Sequence, residues 1–318
     1  MKASRLHPEL RSFRFLPNPP VGSSWFRGLS RKLVRLVPAV KSTGSVAIES
    51  ITFAPGVGVR VYTPTERAVS GALLWIHGGG MVIGFAAQDD RHCVDVATRL
   101  GVLVVSVEYR LAPEHPFPVP VDDCHHAWRW LVDGAAGRGV DPERIVVGGQ
   151  SAGGGLAASL VHRLHDEGGR QPAGQWLFCP MLDDRTAADR NLDAVSHFLW
   201  SNRSNRVGWR AYLGTEPGSL EVPAYAVPAR RRSLAGLPPA WIGTGDIELF
   251  YDEDCAYAAA LAAGGVDCEL DVVPGAPHGF ERIQAKAPVS RAYIERSYAW
   301  LQRRLADPHE SSWPRESS

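Results

Sequence analysis

Short apolar runs alternate with longer amphipathic segments along most of this chain. Strand-like runs fall at residues 46–53, 57–62, 72–76, 102–107, 145–147, 176–179, 241–243 and 270–273, flanked by glycine or polar turn residues. Helix-length amphipathic stretches lie near 91–100, 122–133, 153–166, 253–263 and 289–304. Strands that alternate with helices predict an α/β fold, with a mostly parallel sheet covered by helices on both faces. The first two strands, separated only by residues 54–56, predict an antiparallel edge.

Two stretches break the alternation. Ahead of the first strand, Phe26, Leu29, Leu33, Leu36 and Val37 recur at helical spacing among basic residues, which predicts an amphipathic helix. Residues 183–235 are polar, with Phe198, Trp200, Trp209, Tyr212 and Tyr225 among them but no clear strand. So long a structureless loop is out of place inside a compact domain, so an inserted helical lid is expected, packing with the N-terminal helix. The chain then divides into an N-terminal cap segment (1–45), a catalytic core in two parts (46–182 and 236–306), a cap insertion (183–235) and a polar tail (307–318) expected to be disordered.

Hydrophobic residues make up 45% and charged residues 21% of the 318, which excludes a wholly disordered or collagen-like chain. The 34 basic residues balance 34 acidic ones, which argues against a nucleic-acid partner. The balance is uneven, because residues 1–41 hold nine Lys or Arg against the single acid Glu9. Such an arm could touch anionic lipid, but a solvated helix face is the commoner use, and membrane contact is not favoured. Cys93, Cys124, Cys179, Cys255 and Cys268 are scattered without a C-x-x-C, and no apolar run approaches the roughly 18 residues of a membrane span. With no signal-peptide pattern either, a soluble cytoplasmic protein with reduced thiols is expected. Oligomerisation stays open.

The strongest chemical signal is Gly149-Gln150-Ser151-Ala152-Gly153, between the strand at 145–147 and a helix that begins near Gly153. A serine on a sharp strand-to-helix turn needs small neighbours, and the helix N-terminus beside it favours developing negative charge. A Gly-rich turn could arise by chance in a chain with 32 glycines, so the strand–turn–helix context carries the weight. The second signal is His77-Gly78-Gly79-Gly80 at the end of the strand at 72–76. Its glycines leave backbone N–H groups unscreened, so those of Gly79 and Gly80, with that of Ala152, can form an oxyanion hole. His77 and Gly78 would support that loop. Neither phosphate-binding glycine motif fits.

Together with Tyr109-Arg110-Leu111-Ala112-Pro113-Glu114-His115-Pro116-Phe117-Pro118 and Pro274-Gly275-Ala276-Pro277-His278-Gly279-Phe280, these motifs make the chain resemble the bacterial hormone-sensitive-lipase family of α/β-hydrolase esterases. Four motifs in order span roughly residues 46–305. The resemblance implies an eight-stranded sheet, a helical cap built from the N-terminal segment and an insertion after strand six, and serine ester hydrolysis without a metal or cofactor.

His278 is the candidate base, last in the order Ser, acid, His that this fold implies. His125, His126, His162 and His165 lie on helical segments and are expected to be exposed; His162 and His165 have metal-pair spacing but no acidic or cysteine cluster beside them. The acid departs from the family pattern within Gly245-Asp246-Ile247-Glu248-Leu249-Phe250-Tyr251-Asp252-Glu253-Asp254. Anchoring on Asp252-Glu253 puts Glu248 in the slot where the family usually has aspartate. A glutamate can accept the His Nδ1–H bond and stabilise imidazolium. Asp246 is the rival, two residues earlier, and Asp252 is expected to cap the following helix. Gln150 and Met81 also depart from the family, which most often has Asp and an aromatic at these positions.

The leading expectation is a serine carboxylesterase acting on short-to-medium acyl esters, with Ser151 forming an acyl-enzyme. Amide hydrolysis and interfacial lipase action are neighbouring readings. A ligand-binding protein on a hydrolase fold, like plant hormone receptors that resemble this family, is disfavoured because those receptors lose the histidine that stands here as His278.

Overall fold

The structure, a computed structural model, describes residues 5–34 and 40–306. Its centre is one eight-stranded sheet in the order β1-β2-β4-β3-β5-β6-β7-β8. The strands are β1 (Val46–Ala54), β2 (Val57–Pro64), β3 (Ala72–Ile76), β4 (Leu103–Glu108), β5 (Ile145–Gln150), β6 (Gly174–Phe178), β7 (Ala240–Gly245) and β8 (Cys268–Val273). β1 and β2 form the expected antiparallel edge, β2 also runs antiparallel to β4, and the remaining pairs are parallel. The central strands are buried on both faces, which is why they read as unbroken apolar runs rather than alternating ones.

Nine α-helices are described: α1 (Ser24–Val34), α2 (Asp90–Leu100), α3 (Val119–Asp133), α4 (Ala152–Glu167), α5 (Asp184–Ala188), α6 (Asn202–Leu213), α7 (Tyr251–Ala263), α8 (Phe280–Ile283) and α9 (Pro288–Leu305). Side chains that alternate along each strand feed two cores. Leu74, Ile76, Val105, Val147, Leu177 and Ile242 face one cluster, with residues of α3, α4 and α7. Leu73, Trp75, Val104, Val146, Trp176 and Trp241 face the other, with residues of α2 and α9. None of the described helices is long and apolar enough to cross a membrane.

Strand order positions the site. The chain leaves β3 toward β4 on one side and then crosses to β5 on the other, so β3 and β5 flank a topological switch point. Their carboxyl ends open a crevice there, the usual place for a ligand in an open α/β sheet. Ile76 pairs with Gly149, so the glycine loop after β3 and the serine turn after β5 leave the sheet at one level. Gly245 pairs with Val273, which does the same for the acid segment and the histidine loop.

Residues 183–235 contain helices and turns but no strand, as expected. α6 is capped at its start by Ser201, whose hydroxyl accepts the Ser204 N–H at 3.2 Å, and at its end by Gly214 in the left-handed conformation. Trp200, Trp209 and Tyr212 are buried in the larger core cluster, so these aromatics are structural contacts and not a wet lid surface.

The N-terminal segment divides in two. α1 carries the expected helix, although Leu36 and Val37 of that pattern lie outside the described residues, as do residues 1–4 and the whole 307–318 tail. Two of its basic groups turn inward: Arg31 donates to the carbonyls of Val82 (2.9 Å) and Ala112 (2.6 Å), and Arg27 to that of Val21 (2.7 Å). Asn18 donates to the His197 carbonyl at 3.0 Å, which ties the segment to the insertion. Ahead of α1, Pro8–Phe15 forms a 3-10 helix that is not among the elements expected from the sequence. Leu6, Leu10 and Phe13, spaced by four and three, bury themselves in the second core cluster. The His7 N–H donates to the Gly275 carbonyl at 2.8 Å, and Glu9 accepts the Val289 N–H at 2.7 Å.

Candidate active site

Ser151 sits between the last residue of β5 and the first of α4, with φ 57° and ψ −122°. A non-glycine residue at positive φ stores about 1–3 kcal/mol, and persists only where its surroundings over-determine it. They do so here: the Ser151 N–H donates to the Phe178 carbonyl at 2.8 Å, and its own carbonyl accepts from Met181 (2.9 Å) and Gly155 (3.0 Å). The turn also needs Gly153, where a Cβ would collide with the carbonyls of Ile76 and His77. Ala152 opens α4, so its N–H is among the first-turn donors that have no partner four residues back.

Facing the turn is the glycine loop. Gly79 and Gly80 both have positive φ, 127° and 60°. A Cβ on Gly78 would stand 3.4 Å from the Ser151 Cβ, so the loop lies directly against the serine. His77 anchors it from below: the ring is fully buried, Nδ1 is 2.8 Å from the Gly78 carbonyl, and Tyr109 stacks on it at 4.2 Å. The Tyr109 hydroxyl donates to the His77 carbonyl at 2.9 Å. Burial pushes the His77 pKa down, which keeps this ring neutral and suited to support rather than to proton transfer.

On the other side, His278 Nε2 is 3.0 Å from Ser151 Oγ, and His278 Nδ1 is 2.5 Å from Glu248 Oε2. Glu248 is buried, and its second oxygen accepts the Thr244 hydroxyl at 2.5 Å. The Phe250 ring meets the imidazole edge-on at 5.3 Å. Asp246 does a different job, accepting the Gly275 N–H at 2.6 Å and so tethering the histidine loop. Asp252 is exposed in the first turn of α7. It is not that helix's cap, as the sequence suggested, because Phe250 holds the N-cap position and the helix starts at Tyr251. Its charge instead favours the helix N-terminus as a first-turn acid.

Several contacts around this group do not show in the sequence. Gln150 donates to Glu281, whose buried carboxyl is pushed up in pKa by desolvation. Cys179 is buried beside the pair, with its sulfur, a Glu248 oxygen and a His278 nitrogen all within 4.8 Å of one another. Burial holds its thiol well above the usual range, so it is a neutral neighbour and not a nucleophile. Met81 is also buried, its carbonyl accepting the Ala112 N–H at 3.0 Å. Trp200 comes from the insertion, and its ring covers the α-carbon of Gly80 so closely that a Cβ there would collide with it.

The expectation of exposed helix histidines fails for His162. It is buried, 2.7 Å from the Tyr257 hydroxyl, with burial lowering its pKa to about 3. The spacing that suggested a metal pair belongs to a core residue and its half-buried neighbour His165. His125 pairs with Glu167 at 2.9 Å, and His126 stacks on Phe53.

Residues 73–282 match the family model of the alpha/beta hydrolase fold. Carboxylesterase NlhH of Mycobacterium tuberculosis is 34% identical over 268 residues, 82% of each chain. Ethyl acetate hydrolase of Pseudomonas putida is 34% identical over 231 residues, 71% of each chain. Among solved structures, a bacterial heroin esterase superposes with a TM-score of 0.88 at 38% identity, covering 96% of this chain and all of that one. A likeness that runs through most of several esterase chains, on a sheet whose switch point carries the serine turn, makes this chain a member of the α/β-hydrolase fold family, in the bacterial hormone-sensitive-lipase group of serine carboxylesterases.

Proposed function

We propose that Ser151, His278 and Glu248 form the catalytic triad of an esterase for short-to-medium acyl esters. The observation that carries this reading is the unbroken hydrogen-bond chain Ser151 Oγ–His278 Nε2, His278 Nδ1–Glu248 Oε2, at 3.0 and 2.5 Å. The Ser151 hydroxyl gives its proton to Nε2 as Oγ attacks the ester carbonyl, and Glu248 holds the imidazole in the tautomer with hydrogen on Nδ1 and stabilises the imidazolium. The N–H groups of Gly79, Gly80 and Ala152 receive the oxyanion, with the α4 N-terminus adding favourable potential. The imidazolium then protonates the leaving alcohol. Water, activated by the same histidine, attacks the acyl-enzyme and releases the acid.

The acyl range follows from what covers the site. Ser151 is only 6% exposed, and Trp200 closes over Gly80. Residues 183–235, joined by the Asn18–His197 bond to the N-terminal segment, act as the cap that bounds the acyl pocket. A fluorophosphonate probe should label wild type and not Ser151→Ala. A series of esters from acetyl to palmitoyl should peak at about four to eight acyl carbons, the length that suits an ordinary closed pocket. Labelling that persists in Ser151→Ala, or a peak at palmitoyl, would overturn the corresponding part.

A further inference from the structure

Behind the triad acid lies a second carboxyl group that the mechanism above does not use. Asp254, on the first turn of α7, is completely buried, and its side chain lies against Glu248 and Thr244. Thr244 has one hydroxyl proton and gives it to Glu248 Oε1 at 2.5 Å. Glu248 accepts from Thr244 and His278 and, as a carboxylate, has nothing to donate. If both acids were ionised, the two Asp254 oxygens would therefore be buried without a donor, and neither has a hydrogen-bond partner on that assignment. Two carboxylates in contact cannot both be charged in a dry site, but one shared proton turns the repulsion into a strong hydrogen bond.

We infer that Asp254 is a positioning residue that keeps its proton and donates it to the Glu248 carboxylate, fixing the triad acid from behind. This rests on the reading of Glu248 as that acid. The other titratable groups that face Asp254 are Glu253 on its own helix and Cys179 after β6, and they support the assignment. The Cys179 thiol is neutral, and Glu253 is a further acid, so none of these neighbours offers Asp254 a stabilising positive charge. Burial and the two acids hold its carboxyl well above the ordinary aspartate range. Only Glu248, with its bonds to Thr244 and His278, is then left to carry the negative charge that imidazolium needs. Shedding the Asp254 proton would remove one donor from Glu248 and set a second charge beside it.

The test compares Asp254→Asn, which keeps a donor at every pH, with Asp254→Ala, which keeps none, and measures Glu248→Gln alongside. Asp254→Asn should hold kcat within about threefold of wild type, whereas Asp254→Ala should lose about ten- to a hundredfold in kcat at little change in KM, the loss of a hydrogen bond to a charged group. The wild-type kcat should decline on the alkaline side as the Asp254 proton leaves, and that decline should be absent from Asp254→Asn. Infrared difference spectra of the intact resting enzyme should show a protonated carboxylic-acid carbonyl band that is missing from Asp254→Asn. Equal kcat losses in both Asp254 variants, or no band difference between wild type and Asp254→Asn, would overturn the inference even with Glu248→Gln inactive. Should an alanine variant fold poorly, the infrared comparison still decides. A Glu248→Gln enzyme with wild-type kcat would instead overturn the underlying triad assignment, whatever Asp254 does.

Discussion

Glu248 reaches His278 Nδ1 at 2.5 Å, while Asp246, two residues earlier, holds the Gly275 N–H three residues before the same histidine at 2.6 Å. Two acids of one short loop thus serve one imidazole in different ways, one bonded to the ring and the other to its backbone. Glu248→Gln keeps the contact but favours the wrong tautomer, so kcat should fall by about 10²–10⁴-fold. Glu248→Asp keeps the charge with a shorter reach and should retain part of the activity. Asp246→Asn loosens the loop by weakening one charge-assisted bond, so it should lower Tm with a much smaller effect on kcat. Steady-state kinetics and thermal melts of the three variants check this division.

The strained turn at Ser151 separates activity from stability. Ser151→Ala should abolish ester hydrolysis with little change in melting, because the alanine inherits the same φ of 57°. Ser151→Gly should be equally inactive yet more stable than Ser151→Ala by about 1 kcal/mol, since glycine adopts that conformation without a Cβ penalty. Denaturant melts of the two inactive variants measure the difference. Equal midpoints would show that the elbow stores no strain.

The parts of this site that could be read in advance are those whose chemistry leaves a local mark. The small residues around Ser151 and the glycine run after β3 sit next to the elements they shape, so the strand–turn–helix context of the serine and the loop facing it show directly in the sequence. What escaped is what depends on contacts distant in sequence. The contact of Asp254 with Glu248 is short in sequence but leaves no mark either, because it depends on the burial of both acids between α7 and the end of β7. His162 looked like a surface histidine because its partner, Tyr257, is 95 residues away. The N-terminal anchor leaves only a short mark, the helical spacing of Leu6, Leu10 and Phe13, set among arginines that by themselves read as a solvated basic arm.

The contact between Trp200 and Gly80 should govern which acyl chains fit. Trp200→Ala opens space above the glycine loop, so activity should shift toward longer chains, at a stability cost of about 3–5 kcal/mol for truncating a buried aromatic. Gly80→Ala should be inactive, because its Cβ collides with the same ring and the backbone there has φ 60°. An ester chain-length series on both proteins checks the pair.

Gln150 bears on pH. Its amide donates to Glu281, a buried acid that desolvation pushes up in pKa. Gln150→Asp places a second carboxyl there, and one of the two must stay protonated. A group whose folded pKa lies above its unfolded value favours folding below the unfolded value, and that contribution is lost as pH rises through the folded one. The variant should therefore melt close to wild type near pH 5 and fall progressively below it toward pH 8. A pH-independent Tm difference would contradict this coupling.

The final expectation concerns the N-terminal anchor. Leu6, Leu10 and Phe13 are buried against the core face that carries α9, and the same segment bonds the histidine loop through His7 and Gly275. Phe13→Ala leaves a cavity in that face and should cost about 3–5 kcal/mol of stability. Removing residues 1–16 exposes the three apolar side chains' partners and frees the Gly275 carbonyl, so it should cost more and also lower kcat through the loop that presents His278. Arg11→Ala and Arg14→Ala, whose side chains belong to exposed positions of the 3-10 helix, should leave both quantities nearly unchanged. Melting and kinetics of the four proteins separate a packing role from a charge role: equal losses in Phe13→Ala and in the arginine variants would mean that charge, and not burial, fixes this segment.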